Sequence, residues 1–176
     1  MKIKTIMTVS AVLALTACSK PYDFSGSYDA TKGENCEMQP GENTLITISP
    51  AAESENTYTA RLSSQMSGGG VFPLESKPAK VAEDGSLTFM FFKEGESGFF
   101  SGKPSVDMKM KLIEKDGEHV YLQSWPVTIS ASTNPARGTS FDFVKDAEIS
   151  MMGQKAPNEL SQQAGKTGLC LKKAKV

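Results

Sequence analysis

From Val106 to Leu112 every second residue is apolar, and the alternation resumes at Val120 and Leu122 beyond Asp116-Gly117. Val106, Met108, Met110, Leu112, Val120 and Leu122 then share one face, and Asp107, Lys109, Lys111, His119, Tyr121 and Gln123 share the other. Successive side chains of a strand point to opposite faces, so a period of two fits a half-buried strand and no helix. The stretch must therefore fold as a hairpin that buries one side. A three-residue loop of Lys115, Asp116 and Gly117 pairs Leu112 with Val120 and Met110 with Leu122, with glycine at the left-handed position. A two-residue loop would shift the pairing by one and set Lys111 against Leu122, sending side chains to the wrong face.

The same chemistry surrounds Asp84-Gly85. A loop of Glu83, Asp84 and Gly85 pairs Val81 with Leu87 and Ala79 with Phe89, again on one face. Phe24–Thr31, Thr44–Ser49, Thr57–Ser63, Thr139–Lys145 and Gly168–Lys173 read as further strands. Ser67-Gly68-Gly69-Gly70 is a flexible joint, and Asn158–Ala164 fits two turns of helix between Pro157 and Gly165. The fold class is all-β, a single small antiparallel β-barrel or sandwich of about eight to ten strands with at most one short helix near the C-terminus. Gly26-Ser27-Tyr28 is similar to the Gly-x-Trp of lipocalin-type barrels, with tyrosine in place of tryptophan.

Lys2 and Lys4 precede the mostly apolar run Ile6–Leu15, which ends in Leu15-Thr16-Ala17-Cys18. A basic start, a short apolar middle and a small-residue end describe a secretory signal peptide. The run is far shorter than the roughly 20 residues that span a bilayer. Leu-Thr-Ala-Cys resembles the lipobox of bacterial lipoproteins. That resemblance implies cleavage after residue 17, a diacylglycerol on the Cys18 thiol and acylation of its amine. Ser19, rather than Asp, implies the outer membrane, with the periplasmic face ranked above the cell surface. Residues 1–17 are then a signal peptide, residues 18–23 a lipidated N-terminus and short tether, and residues 24–176 one β domain.

With Cys18 committed to lipid, Cys36 and Cys170 remain as an even pair in an oxidising compartment and are expected to form a disulfide. That bridge would bring the two ends of the domain together. Without Lys2 and Lys4 the chain carries 17 Lys+Arg against 20 Asp+Glu, a net charge of −3. Only Arg61 and Arg137 are arginines, and no basic stripe is present, which argues against nucleic acid as a partner. Lys172, Lys173 and Lys175 read as a solvated chain end.

Catalytic signatures are missing. His119 is the single histidine and lies on a polar strand face, so no catalytic residue is assigned. Neither a metal site nor a cofactor site is expected, because clustered Cys and His are lacking. Gly165-Lys166-Thr167 lacks the earlier glycine of a P-loop, whose place is taken by Leu160. Phe99 and Phe100, set between Gly98 and Ser101-Gly102, could form an aromatic tip that contacts a partner or ligand, or fold into the core at the start of a strand. Met90, Met108, Met110, Met151 and Met152 suit either an adaptable apolar cavity or a filled core. The leading expectation is a non-catalytic, outer-membrane-anchored lipoprotein that binds a protein or envelope partner, as inhibitors, immunity proteins and assembly factors do. The alternative is a carrier of a lipid or small apolar ligand in a Phe/Met-lined barrel cavity.

Overall fold

Strands β6 (Leu87–Glu94) and β7 (Ser105–Asp116) form the longest ladder, antiparallel from Leu87↔Leu112 to Glu94↔Ser105. The computed structural model describes residues 21–32, 35–37, 44–52, 54–62, 74–94, 105–130, 139–151 and 154–174. Cys18, the 67–70 joint, Phe99, Phe100 and Met152 lie outside the described residues, as does the side chain of Met151.

Around that ladder stand β1 (Gly26–Ala30), β2 (Thr44–Pro50), β3 (Thr57–Leu62), β4 (Leu74–Glu75), β5 (Ala79–Lys80), β8 (His119–Ser124), β9 (Pro126–Ser130), β10 (Thr139–Asp142) and β13 (Leu169–Lys173). Their order is β10-β9-β7-β8-β13-β1-β2-β3-β4, with β5 on β3 and β6 on β7. The pairs β4/β5 and β8/β9 are interrupted halves of two longer runs, so eleven assigned strands amount to nine. A separate hairpin of β11 (Glu148–Met151) and β12 (Gln154–Pro157) and the short helix α1 (Glu159–Gln163) complete the described chain. The sheet rolls until β4 nears β6, where the bridge Ser76↔Phe91 and the bond from Lys77 N–H to Met90 C=O (3.1 Å) stand in place of a ladder among the described residues. It is a rolled, sandwich-like antiparallel sheet rather than a fully laddered barrel.

The expected alternation decides the core. Tyr28, Ile46, Ile48, Tyr58, Ala60, Leu62, Leu87, Phe89, Phe91, Met108, Met110, Leu112, Val120, Leu122, Leu169 and Leu171 point inward and are buried. Phe24, Trp125, Phe141 and Val144 pack on the same cluster. Dispersion and apolar transfer over such a surface supply the main driving force for the fold.

Both hairpin registers differ from expectation, for identifiable reasons. At β7–β8 the turn is Gly117-Glu118, with Asp116 opposite His119. One oxygen of Asp116 accepts the backbone N–H groups of Glu118 and His119, both at 3.0 Å, which closes the tighter turn. That turn alone would misplace every side chain, but the irregularity at Glu114/Asp116 restores the parity, and a second one at Lys111/Leu112 shifts the register again where the partner passes from β8 to β9. Leu112 therefore faces Leu122 and Glu114 faces Val120, two residues along from the expected partners and on the expected faces.

At β5–β6 the loop of Glu83, Asp84 and Gly85 forms as expected, with Ala82 N–H bonded to Ser86 C=O at 2.8 Å and Gly85 at φ +76°. The pairs Val81–Leu87 and Ala79–Phe89 do not continue it. Pro78 has no N–H to donate, and beyond it β5 turns to β3, with Tyr58↔Ala79 and Thr57↔Lys80. Two further strands are shorter than expected: β1 starts at Gly26 rather than Phe24, and β10 stops at Asp142 rather than Lys145.

The disulfide Cys36–Cys170 is present, with Cα atoms 5.5 Å apart. Cys170 alternates with the inward Leu169 and Leu171, and neither cysteine belongs to the core cluster. The bridge thus clamps the segment around Cys36 onto the outside of β13 and β8. On the other flank, Asn158 caps α1 and is buried, its amide donating to Phe143 C=O (2.9 Å) and Asp146 C=O (2.6 Å). Asn158→Ala takes the amide donor away from the Phe143 and Asp146 carbonyls and removes the cap. It should cost about 2 kcal/mol in urea unfolding.

The topology also sorts the connections between two ends. Tyr22, the turn through 51–56, the 82–86 turn and the 117–118 turn share one end. The strand ends Ala30/Thr44, Leu62/Leu74, Glu94/Ser105 and Ser130/Thr139, which flank the four longest connections, share the other.

Candidate functional site

The outer wall of β6 carries the feature that asks for a role. Leu87, Phe89 and Phe91 point inward, so Met90 and Phe92 must point out, and they are 49 % and 57 % exposed. These are the exposed large hydrophobic residues among those described. On β7, Lys109 lies opposite Met90, Asp107 opposite Phe92 and Lys111 opposite Thr88. Lys77 joins Met90 through its backbone on the other side. Between β5 and β6 runs an open groove of about 160 Å³, lined by Pro78, Ala79, Ala82, Met90 and the lysines 77 and 80.

Sequence reasoning noticed the Phe/Met richness here but could not sort it. Phe89-Met90-Phe91-Phe92 is apolar at every position, so period two is invisible until the ladder fixes the parity. Of the methionines, Met108 and Met110 fill the core and Met90 does not. The groove itself went unnoticed, although Pro78 beside a predicted hairpin was the signal for a broken ladder.

Two other clefts open on the outside. One of about 370 Å³ lies on the wall of β2–β4 over Thr47, Thr59, Arg61 and Glu75. The other, about 520 Å³, lies at the N-terminal end between Tyr22, Lys80, Glu83 and Glu114. Neither gathers a catalytic set. The single histidine caps a turn: His119 Nδ1 is 2.7 Å from Asp116 Oδ1, and His119 faces Lys172 across the ladder. Among the described residues no three His, Cys, Asp or Glu side chains gather where a metal could sit, and no helix is long and apolar enough to cross a membrane.

No family model, curated protein or solved structure matches this chain.

At the N-terminal end three tyrosines hold the chain in place before β1. The Tyr22 ring stands edge-on to Phe24 at 4.8 Å. Tyr28 donates its hydroxyl proton to Phe24 C=O at 3.0 Å, so Tyr22 donates to the Tyr28 oxygen at 3.4 Å. Burial pushes the Tyr28 hydroxyl far above the usual phenol range. Tyr58 donates to Asp23 Oδ1 at 3.3 Å, and Lys173 Nζ reaches Asp23 C=O at 3.4 Å.

Three exposed turn carboxylates at this end are held below the ordinary aspartate value. The Ser25 N–H does so at Asp23, the Ser86 hydroxyl at Asp84 and the His119 ring at Asp116. A depressed folded pKa gives stability that is present above the unfolded value and is lost as pH falls through the folded one. The melting temperature should therefore decline once pH drops below about 4. Each contribution is small at such exposed sites. A melting temperature unchanged between pH 7 and pH 2.5 would contradict this.

Proposed function

We propose that this chain is a non-catalytic lipoprotein, anchored in the outer membrane through Cys18 on the periplasmic side, whose β domain binds a protein or envelope partner. Inhibitors, immunity proteins and assembly factors work in this way. The observation that supports the reading best is a contrast. The sheet interior is filled by side chains with essentially no exposure, among them Tyr28, Phe24, Phe89 and Phe91, while Met90 and Phe92 stand in solvent. A carrier of a lipid or apolar ligand needs a cavity of several hundred Å³. Aromatic rings occupy the place where this sheet would have one. Phe99 and Phe100 lie in the 95–104 connection that follows β6, and they are proposed as further contacts.

The test is crosslinked recovery of the anchored protein from intact envelopes. The reading expects a defined protein to return with it, and Phe99→Ser combined with Phe100→Ser to lower that recovery several-fold. Recovery of phospholipid alone would overturn the binding role. Mass spectrometry should find Cys18 carrying diacylglycerol, and a bare thiol there would overturn the anchor.

A further inference from the structure

We propose that the groove between β5 and β6, with the Met90–Phe92 wall beside it, receives an extended acidic segment of a partner protein. The inference rests on the partner-binding reading and names the chemistry of the partner.

Three observations converge. The first is backbone polarity. Met90 turns its C=O toward β4 to accept the Lys77 N–H, so by the alternation of an antiparallel pair Thr88 turns its own N–H and C=O to the same side. Pro78 has broken the ladder there, and among the described residues no ladder or bridge pairs β6 with β5 at Thr88. Open N–H and C=O groups at a sheet edge recognise extended backbone.

The second is shape. A groove of about 160 Å³ admits a side chain but lies well below the roughly 300 Å³ at which small-molecule sites begin. Pro78, Ala79, Ala82 and Met90 give it an apolar lining, and Phe92 extends the apolar surface beyond its rim. An apolar side chain on alternate positions of the incoming segment fits that surface.

The third is charge. Lys77, Lys80, Lys109 and Lys111 border this wall around Thr88 and Met90, while its acids, Asp107 and Glu75 on either side of Phe92 and Glu94 beyond it, lie toward the Phe92 end. Lys111 already has Asp84 at 3.5 Å. The chain as a whole is slightly acidic, so this basic border is local and selects carboxylates. A membrane is the poorer occupant. The wall runs along the side of the sheet, and the end next to the N-terminus is the one rich in acids, with Asp23, Glu83, Asp84, Glu114 and Asp116.

The experiment places a photoreactive benzoylphenylalanine at position 92 of the full anchored chain in intact envelopes, and at position 47, three strands away on β2, as a control. The expected result is a protein adduct from position 92 whose crosslinked peptide is rich in Asp and Glu. Lys77→Glu with Lys109→Glu should lower its yield about tenfold, whereas Lys77→Arg with Lys109→Arg should keep it. These lysines are exposed, so the exchanges leave the core intact. An adduct from position 47 alone would overturn this surface while leaving the partner reading standing. A lipid adduct at 92, or a protein adduct that is not acidic or ignores the charge reversal, would overturn the proposed occupant. No protein adduct from either position, with none recovered from wild-type envelopes, would overturn both.

Discussion

Replacing Cys36 and Cys170 together by alanine is expected to lower the unfolding free energy by about 2–5 kcal/mol. The two cysteines are 134 residues apart, so the bridge restrains nearly the whole domain once it unfolds. Chain-entropy estimates for a loop above 100 residues approach 5 kcal/mol. The lower bound reflects two offsets. Cys36 is held at φ +58°, a conformation that costs a non-glycine residue about 1 kcal/mol or more and that an unbridged chain could relax. The backbone pair Lys32–Glu37, with bonds of 2.9 and 3.1 Å, also keeps part of the clamp without the sulfurs. Both cysteines are buried but lie outside the main core cluster, so near-ultraviolet spectra of Trp125 should survive the double exchange. The urea midpoint should fall, with the m-value rising as the denatured chain expands. A midpoint within error of wild type would refute this account.

Gly168→Ala should be as damaging, by about 3 kcal/mol, although it adds a single methyl group. Gly168 has φ +129°, a region closed to L side chains, and a Cβ there would run into the backbone carbonyl of Leu122. The next atoms are Leu122 C at 2.9 Å and Gln123 Cα at 3.0 Å, all main chain. Main chain in a paired strand cannot step aside as a lysine tail can. Gly26 offers the contrast within the same molecule: its left-handed φ is also unfavourable, but its Cβ would meet the flexible end of Lys173. Gly26→Ala should therefore cost clearly less than Gly168→Ala in parallel thermal melts. Equal costs would mean that φ alone, not crowding, governs both sites. The Gly168 exchange also acts two residues before Cys170, so slower oxidative closure of Cys36–Cys170 should accompany the loss.

How far the fold could be read in advance depended on which signals were local. Alternation through Val106–Leu112 and Val120–Leu122 identified the inward residues because period two is written in the side chains themselves. The disulfide followed from counting cysteines. Register was another matter, since it depends on a competition that composition does not show. Asp116 could serve a three-residue loop, but its carboxylate closes a tighter one and the bulge near Lys115 absorbs the parity error. Strand β9 escaped notice because it opens with Pro126 right after Trp125. The candidate surface was hidden for the opposite reason: an unbroken apolar run gives no hint of which residues a ladder will turn outward.

The three-tyrosine lock before β1 bears on how far the domain can reach. With Tyr22 fixed against Phe24, a lipid on Cys18 would leave only residues 19–21 as slack, at most about 14 Å of extended chain. Such a short mooring allows pivoting but no roaming. A binding partner would have to come close to the bilayer to reach the side wall of β5 and β6.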